Sequence, residues 1–75
     1  MKTLIIESSF IAGIGYDHAR RQLFVGMKTG ATYCYLNVPR EVYAGLASAK
    51  SHGQYYNRYI KNNYEYHVMV QVEAN

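Results

Sequence analysis

The sequence has a single cysteine, a single proline and no tryptophan, and only five of its 75 residues are acidic. One cysteine excludes an intramolecular disulfide, on which most short secreted domains depend, so we expect a cytoplasmic protein. The acids form no carboxylate pair, and the three histidines together with Cys34 lack the spacing of metal ligands. We therefore expect no metal site, no cofactor and no enzymatic activity.

Long apolar runs are also missing. No segment approaches the roughly 20 apolar residues that span a bilayer, and Glu7 interrupts the short run that begins at Leu4 before any cleavage pattern follows. We expect neither a membrane segment nor a signal peptide. With 49% hydrophobic and 17% charged residues, the chain is too apolar for a disordered tail. Its length predicts that residues 1–75 form one domain.

Tyrosine and local positive charge are what the chain has in excess. Nine tyrosines supply rings that suit both a thin core and a contact surface. The formal net charge is only +3, but no acid falls between Val42 and Asn63, where Lys50, Arg58 and Lys61 lie. This concentration of charge would suit an anionic partner such as nucleic acid, and it would equally suit ordinary solubility.

Alternating apolar residues predict an antiparallel meander before Pro39. Leu4 and Ile6 indicate a short first strand. The rows that follow are Phe10, Ala12, Ile14 and Tyr16, then Leu23, Val25 and Met27, then Ala31, Tyr33, Tyr35 and Asn37. Asp17 opens a polar loop, and Gly30 supplies a residue that tolerates positive φ where a hairpin needs one.

The helical period begins at the proline. Pro39 fits the first turn of a helix because its missing N–H costs nothing there. Val42, Leu46 and Ala49 then recur at helical spacing. The sequence therefore predicts a first helix over roughly 39–49.

A second helix is predicted by its capping signal. Ser51, with Gln54 three residues later, reads as a capping box. The helix should then run from about His52 to Asn62, with Tyr56 and Ile60 on its buried stripe.

The last segment has the cleanest strand pattern. One parity carries Tyr64, Tyr66, Val68, Val70 and Val72, and the other carries Glu65, His67 and Gln71. Such alternation is typical of a half-buried strand. The expected fold is therefore α+β: an antiparallel meander of three or four strands, two short helices on one face, and a C-terminal edge strand.

The motifs can now be read together along the chain. They are Ser8-Ser9, Ile14-Gly15-Tyr16-Asp17, Leu23-x-Val25-x-Met27, Gly30-x-x-Tyr33-x-Tyr35, Val38-Pro39-x-x-Val42-Tyr43-x-x-Leu46 and Ala49-x-Ser51-x-Gly53-x-Tyr55-Tyr56-Asn57-x-x-Ile60. This ordered pattern, from about Ser8 to Tyr66, resembles the KTSC domain, a small module named for the C terminus of certain lysyl-tRNA synthetases. The motif positions that we single out are Tyr33, Tyr35, Pro39, Tyr43, Ser51, Gly53 and Tyr56. The resemblance implies a module that also occurs alone in bacterial and phage proteins, with RNA binding proposed from its association with the synthetases.

The register of one hairpin decides what the paired tyrosines Tyr33 and Tyr35 do. With a two-residue loop, Val25 faces Cys34 and both tyrosines form an exposed aromatic platform. With the three-residue loop 28–30, Val25 faces Tyr33 and both tyrosines point into the core. The KTSC pattern tends to place polar residues at the position of Cys34, which favours the three-residue loop.

The second predicted helix carries the candidate nucleic-acid site. Aromatic and cationic residues interleave on the side away from its buried stripe, and such a face can stack bases while contacting phosphate. The candidate residues are Lys50, His52, Tyr55, Asn57, Arg58, Tyr59 and Lys61. The start of this helix at Gly53 would also suit a phosphate. The same pattern fits a solvated basic face whose tyrosines cover the sheet.

Two functions follow from this reading. The first is a non-catalytic RNA-binding accessory module for tRNA or another structured RNA, with Lys50, Arg58 and Lys61 on phosphates and Tyr55 or Tyr59 stacked on a base. The second is a protein-interaction or self-association module, such as a homodimer, that adds a strand at the edge formed by 64–72.

Overall fold

A five-stranded antiparallel sheet dominates the computed structural model, which describes residues 3–69. The strands are β1 (Thr3–Ile5), β2 (Ile11–Asp17), β3 (Gln22–Met27), β4 (Thr32–Tyr35) and β5 (Tyr66–Met69), and the helices are α1 (Arg40–Ser48) and α2 (His52–Tyr55), the latter continued by a π-helical segment (Tyr56–Ile60). The strands lie in chain order β1-β2-β3-β4-β5, and the helices between β4 and β5 cover one face. The predicted α+β meander is confirmed. Within the described residues, no helix is long and apolar enough to cross a bilayer.

The β3–β4 hairpin has the three-residue loop. Val25 pairs with Tyr33 and Leu23 with Tyr35, so both tyrosines lie on the inner, helix-covered face of the sheet. Gly30 has a φ of 99°, and its N–H donates to the carbonyl of Met27 at 3.0 Å. Tyr35 is buried and Tyr33 is half-buried, so the exposed platform of the two-residue alternative does not form.

Strand β2 contains a bulge that corrects one predicted row. Ile11 pairs with Met27, whereas Gly13 pairs with Gly26, so Ala12 is an extra residue in β2. Ile14 lies buried as predicted, but Ala12 is exposed and Ile11 is fully buried in its place. The row that includes Ala12 was wrong because a bulge shifts the parity of the strand by one residue.

Helix α1 begins one residue after its predicted start at Pro39. Pro39, with a φ of −62°, is the N-cap and lies one position before Arg40. Leu46 is fully buried, and the ring of Tyr43 stacks on that of Tyr16 at 4.9 Å between centroids. The Tyr16 hydroxyl in turn donates to the carbonyl of Val38. These contacts fix α1 across the inner face of the sheet.

Helix α2 starts at the predicted cap but changes geometry after one turn. The Ser51 hydroxyl accepts a hydrogen bond from the N–H of Gln54 at 3.3 Å. From Tyr56 onward the chain forms a π-helical segment, in which the N–H of Lys61 donates to the carbonyl of Tyr56 at 2.9 Å. Tyr56 and Ile60 are buried, as their stripe predicts. The helical backbone ends at Ile60, two residues before the predicted end.

The C-terminal strand β5 is shorter than predicted in the described part of the chain. It pairs with β4 through Tyr66 opposite Tyr35 and Val68 opposite Tyr33, which confirms an edge strand of the expected parity. Tyr64 precedes the strand and packs against the core. The predicted strand positions Val70, Gln71 and Val72 lie outside the described residues.

Candidate nucleic-acid interface

Five of the seven predicted nucleic-acid-binding residues line one open hollow on the outer side of α2. These residues are Lys50, Tyr55, Asn57, Arg58 and Tyr59. The hollow, which we call the basic hollow, has a volume of about 730 Å³ and extends to Gly45 and Ala49 of α1 and its end. In the part of the chain that the structure describes, no aspartate or glutamate lines the basic hollow. Its charge is therefore positive, as an anionic partner requires.

Gly45 on α1 sets the position of the Tyr55 ring in the basic hollow. The Tyr55 side chain lies so close to Gly45 that a Cβ there would come within 2.2 Å of the Tyr55 hydroxyl. Burial raises the pKa of Tyr55, so its hydroxyl stays protonated at neutral pH. Gly45 was not among the residues predicted from the sequence. A glycine within a helical pattern could have drawn attention to it, because such a residue usually has a packing or functional reason.

The ring of Tyr59, the second ring of the basic hollow, is more exposed and lies beside a cation. Tyr59 is 48% exposed, and its ring centroid lies 4.7 Å from that of Tyr55. The guanidinium carbon of Arg58 lies 5.6 Å from the Tyr59 centroid, within cation–π range. The π-helical segment thus presents a ring and a guanidinium side by side, which is an arrangement that can stack a base and contact its phosphate.

Two predicted residues lie outside the basic hollow. His52 is half-buried, and its Nδ1 forms a hydrogen bond of 2.8 Å with the carbonyl of Leu46 at the end of α1. This contact gives His52 a structural role between the two helices. Lys61 lies on the other side of the π-helical segment, where it lines a second cavity. Asn57 borders both cavities.

An aromatic ring packs against Gly53 in the first turn of α2. A Cβ on Gly53 would lie 2.8 Å from the ring of Phe10, so the space beside Gly53 is filled by the protein itself. Ser51 already satisfies one N–H of the first turn. Gly53 therefore serves the packing of α2 on the chain before β2. Together with Lys50, Ser51 and His52 it also lines a separate cavity of about 290 Å³ at the start of α2, so phosphate binding there stays a prediction.

The second cavity, which we call the tyrosine cleft, opens between the sheet and the π-helical segment. Its aromatic walls are Phe10, Tyr33, Tyr35, Tyr56 and Tyr66, and its polar rim is Thr29, Asn57, Lys61 and Asn62. The volume is about 310 Å³. Three of the motif tyrosines, at 33, 35 and 56, thus meet in one place. This cleft was not predicted from the sequence.

The two most buried tyrosines of the cleft are linked by their hydroxyls. Tyr35 and Tyr56 are 2% and 5% exposed, and their hydroxyl oxygens form a hydrogen bond with each other. Burial, followed by the hydrogen bond to Tyr56, raises the pKa of Tyr35, and burial also raises the pKa of Tyr56. Both phenols therefore stay neutral at neutral pH, and among the described residues the charge of the cleft comes from Lys61.

The single cysteine belongs to the sheet. Cys34 is 2% exposed and pairs with Phe24 and His67 on neighbouring strands. Burial raises the pKa of its thiol, which disfavours the reactive thiolate. Within residues 3–69, no three His, Cys, Asp or Glu side chains gather as a group that could hold a metal ion.

A family model and several known proteins match this chain over most of its length. A family model described as the KTSC domain matches residues 7–64. A protein of Tsukamurella paurometabola is 43% identical over 56 residues, which cover 75% of this chain and 84% of that protein. A lysine–tRNA ligase of Trichormus variabilis is 35% identical over 60 residues, which are 80% of this chain and only 11% of the ligase.

A solved structure has the same fold. The crystal structure of a KTSC domain protein from Yersinia pestis matches with a TM-score of 0.88 and 30% identity, covering 92% of this chain and 97% of that one. The family model covers well over half of the chain, from Glu7 to Tyr64. These matches confirm the resemblance drawn from the spaced motifs, and the chain belongs to the KTSC domain family.

Proposed function

We propose that this chain is a non-catalytic RNA-binding module that acts in the cytoplasm. The observation that carries the proposal is the basic hollow, where Lys50 and Arg58 lie with Tyr55, Tyr59 and Asn57 and where no acid among the described residues lines the wall. A second line of support is the kinship with lysine–tRNA ligases, whose name states that they act on tRNA. Structured RNA such as tRNA is therefore the first partner to test.

Each part of the basic hollow has a role in this proposal. The exposed ring of Tyr59 takes a base on its free side, because stacking on an aromatic ring suits any base. Arg58 and Lys50 contact phosphates, and Lys61 continues the positive track beyond the π-helical segment. Tyr55, held on Gly45, supports Tyr59 from behind.

The number of cations sets the affinity and its salt dependence. Three phosphate contacts release few counterions, so the logarithm of the binding constant should fall with the logarithm of salt concentration at a slope of about −3. Binding of this kind is weak at physiological salt. We therefore infer an accessory role, in which the module adds RNA contacts to those of a partner or a larger assembly.

The test is fluorescence anisotropy with labelled bulk tRNA over a series of salt concentrations. Replacing Arg58 and Lys61 with glutamine should flatten the slope from about −3 to about −1, because each lost phosphate contact removes about one unit. The matched control replaces Arg20 and Arg40 with glutamine. Both residues are exposed, and neither lines the basic hollow or the tyrosine cleft. Equal binding by the two double variants would refute the proposal.

A second candidate function is strand addition at β5. This strand is an edge of the sheet, and Tyr66, Val68 and Met69 on it are 52%, 49% and 43% exposed. An exposed edge strand with apolar side chains is a template for pairing with another strand, in a protein partner or a second copy. Light scattering over a concentration series tests self-association, which Val68→Lys should abolish and which the glutamine variants of Arg58 and Lys61 should leave unchanged.

A further inference from the structure

The tyrosine cleft has the size and walls of a site for one flat ring. At about 310 Å³ it lies at the lower end of the range for small-molecule sites, so it admits a ring and excludes a helix of nucleic acid. The Tyr66 ring packs against Tyr33 at 5.6 Å and Tyr35 at 5.3 Å between centroids, yet Tyr66 is 52% exposed. One side of this ring is therefore fixed by the protein, and the rest of it is open to a ligand.

The floor of the cleft offers a hydrogen-bond donor. Two tyrosine hydroxyls carry two protons, and the bond between Tyr35 and Tyr56 uses only one of them. Neither hydroxyl forms a hydrogen bond with any other described residue. The second proton is thus available to an acceptor that enters the cleft, such as a carbonyl oxygen or a ring nitrogen.

The rim of the cleft selects for negative charge beside the ring. Among residues 3–69, Lys61 is the only charged residue that lines it, and Asn57 and Asn62 add amide groups that both donate and accept hydrogen bonds. A ligand that combines a flat ring, a hydrogen-bond acceptor and a neighbouring anion would use all of these groups. A nucleotide has this combination.

Asn57 connects the cleft to the basic hollow. It lines both cavities, which lie on opposite sides of the π-helical segment, with Arg58 on one side and Lys61 on the other. A strand of RNA that crosses this segment would place phosphates near both cations. We propose that the tyrosine cleft takes one unpaired base of the bound RNA, with Lys61 on the adjoining phosphate; this inference rests on the proposed RNA-binding function.

The choice of an unpaired base follows from the shape of the site. A base inside a duplex is covered on both faces by its neighbours, and its pairing edge is occupied. The cleft needs a free face for Tyr66 and a free acceptor for the hydroxyl pair. The module should therefore prefer loops and single-stranded ends to continuous duplex.

The experiment compares two RNA probes with two variants. The probes are a labelled ten-nucleotide oligouridine and a labelled ten-base-pair RNA duplex, each followed by fluorescence anisotropy at low salt. Tyr66→Leu removes the half-exposed ring and keeps every cation. Phe24→Leu removes an aromatic ring from the opposite face of the sheet and serves as the matched control.

We expect Tyr66→Leu to weaken oligouridine binding about tenfold, as the loss of one stacked base predicts, and to change duplex binding less than twofold. Phe24→Leu should change neither. If Tyr66→Leu leaves oligouridine binding unchanged, or weakens the binding of both probes equally, the proposal that the tyrosine cleft takes a base is refuted. Either result leaves the proposed RNA binding itself intact.

A titration with uridine monophosphate, followed by amide NMR, separates the two proposals. Shifts confined to Tyr66, Lys61 and their neighbours support the cleft as a nucleotide site. If such shifts occur while tRNA, oligouridine and the RNA duplex all fail to bind, the proposed RNA-binding function is refuted. The assignment of the tyrosine cleft as a nucleotide site is then supported. If uridine monophosphate shifts no amide around the cleft and Tyr66→Leu binds oligouridine normally, the cleft proposal falls.

Discussion

The hydroxyl pair of Tyr35 and Tyr56 makes a sharp prediction about stability. The two changes Tyr35→Phe and Tyr56→Phe, made singly and together, keep both rings and remove only oxygen atoms. Each single change breaks the hydrogen bond and leaves the other hydroxyl in the interior without that partner. The double change removes both polar groups, so no hydroxyl is left unpaired. The effects of the two changes should therefore not add.

The magnitude follows from burial. Because Tyr35 and Tyr56 are only 2% and 5% exposed, a lone hydroxyl at either position loses most of its hydration. A lost hydrogen bond costs about 1 kcal/mol, and a stranded buried group costs about 1–3 kcal/mol. The cleft is open to solvent and allows water to replace part of the contact, so each single change should cost about 1.5 kcal/mol. The double change should cost about 1 kcal/mol.

Urea denaturation of the four proteins in the cycle measures the coupling. The sum of the single effects is about 3 kcal/mol, so the expected double effect implies a coupling of about 2 kcal/mol, well above the error of such cycles. In a chain of this length, 1 kcal/mol corresponds to about 4–8 °C in Tm. Tyr43→Phe is the control, since its ring stacks on Tyr16 and its hydroxyl bonds to no other described residue. A double variant as unstable as the sum of the single variants would refute the reasoning.

Three further predictions concern stability alone. Burial raises the pKa of Tyr35 and Tyr56 above the ordinary value of 10.0, so the unfolded chain loses these two protons at lower pH than the folded chain does. The contribution of the two tyrosines to the urea midpoint should therefore be level below about pH 9 and should fall as the pH rises above about 10. The fall should be less steep in the variant that carries both Tyr35→Phe and Tyr56→Phe. Leu46→Ala removes a fully buried side chain and should cost about 3 kcal/mol in urea unfolding. Ser51→Ala removes the cap of α2 and should cost about 1 kcal/mol, most of which Ser51→Asp should restore.

The parts of the fold that local chemistry determines could be predicted from the sequence. Gly30 indicated a hairpin turn, Pro39 the start of α1 to within one residue, and Ser51 the start of α2. The choice between the two hairpin loops, both of which contain Gly30, came from the KTSC pattern at Cys34, and the structure has the favoured three-residue loop. The bulge at Ala12 and the π-helical segment were not predicted. The bulge adds one residue to β2, and the π-helical segment changes the helical period over five residues. Counting apolar positions at a fixed period cannot detect where that period shifts.

The candidate site could be predicted only as far as one element carries it. The cations and rings of the basic hollow follow one another along α2 and the π-helical segment, so their spacing alone brings most of them together. Gly45 and the tyrosine cleft depend on contacts between distant parts of the chain. Tyr35 and Tyr56 meet across 21 positions, and no local pattern shows which residues a helix will cover on a sheet.

The tyrosines show that a residue can belong both to the core and to a binding surface. Tyr35 lies on the inner face and is buried, but the same face is only partly covered at its β5 edge, where Tyr66 is half exposed. The walls of the cleft are therefore core residues, and changes to Tyr35 or Tyr56 alter stability and the cleft together. Tyr66 can be changed with less damage to the core. Since the Tyr66 ring is half exposed, it contributes less buried area than the rings of Tyr35 and Tyr56. Urea denaturation of Tyr66→Leu, measured beside its oligouridine binding, therefore separates a loss of recognition from a loss of stability.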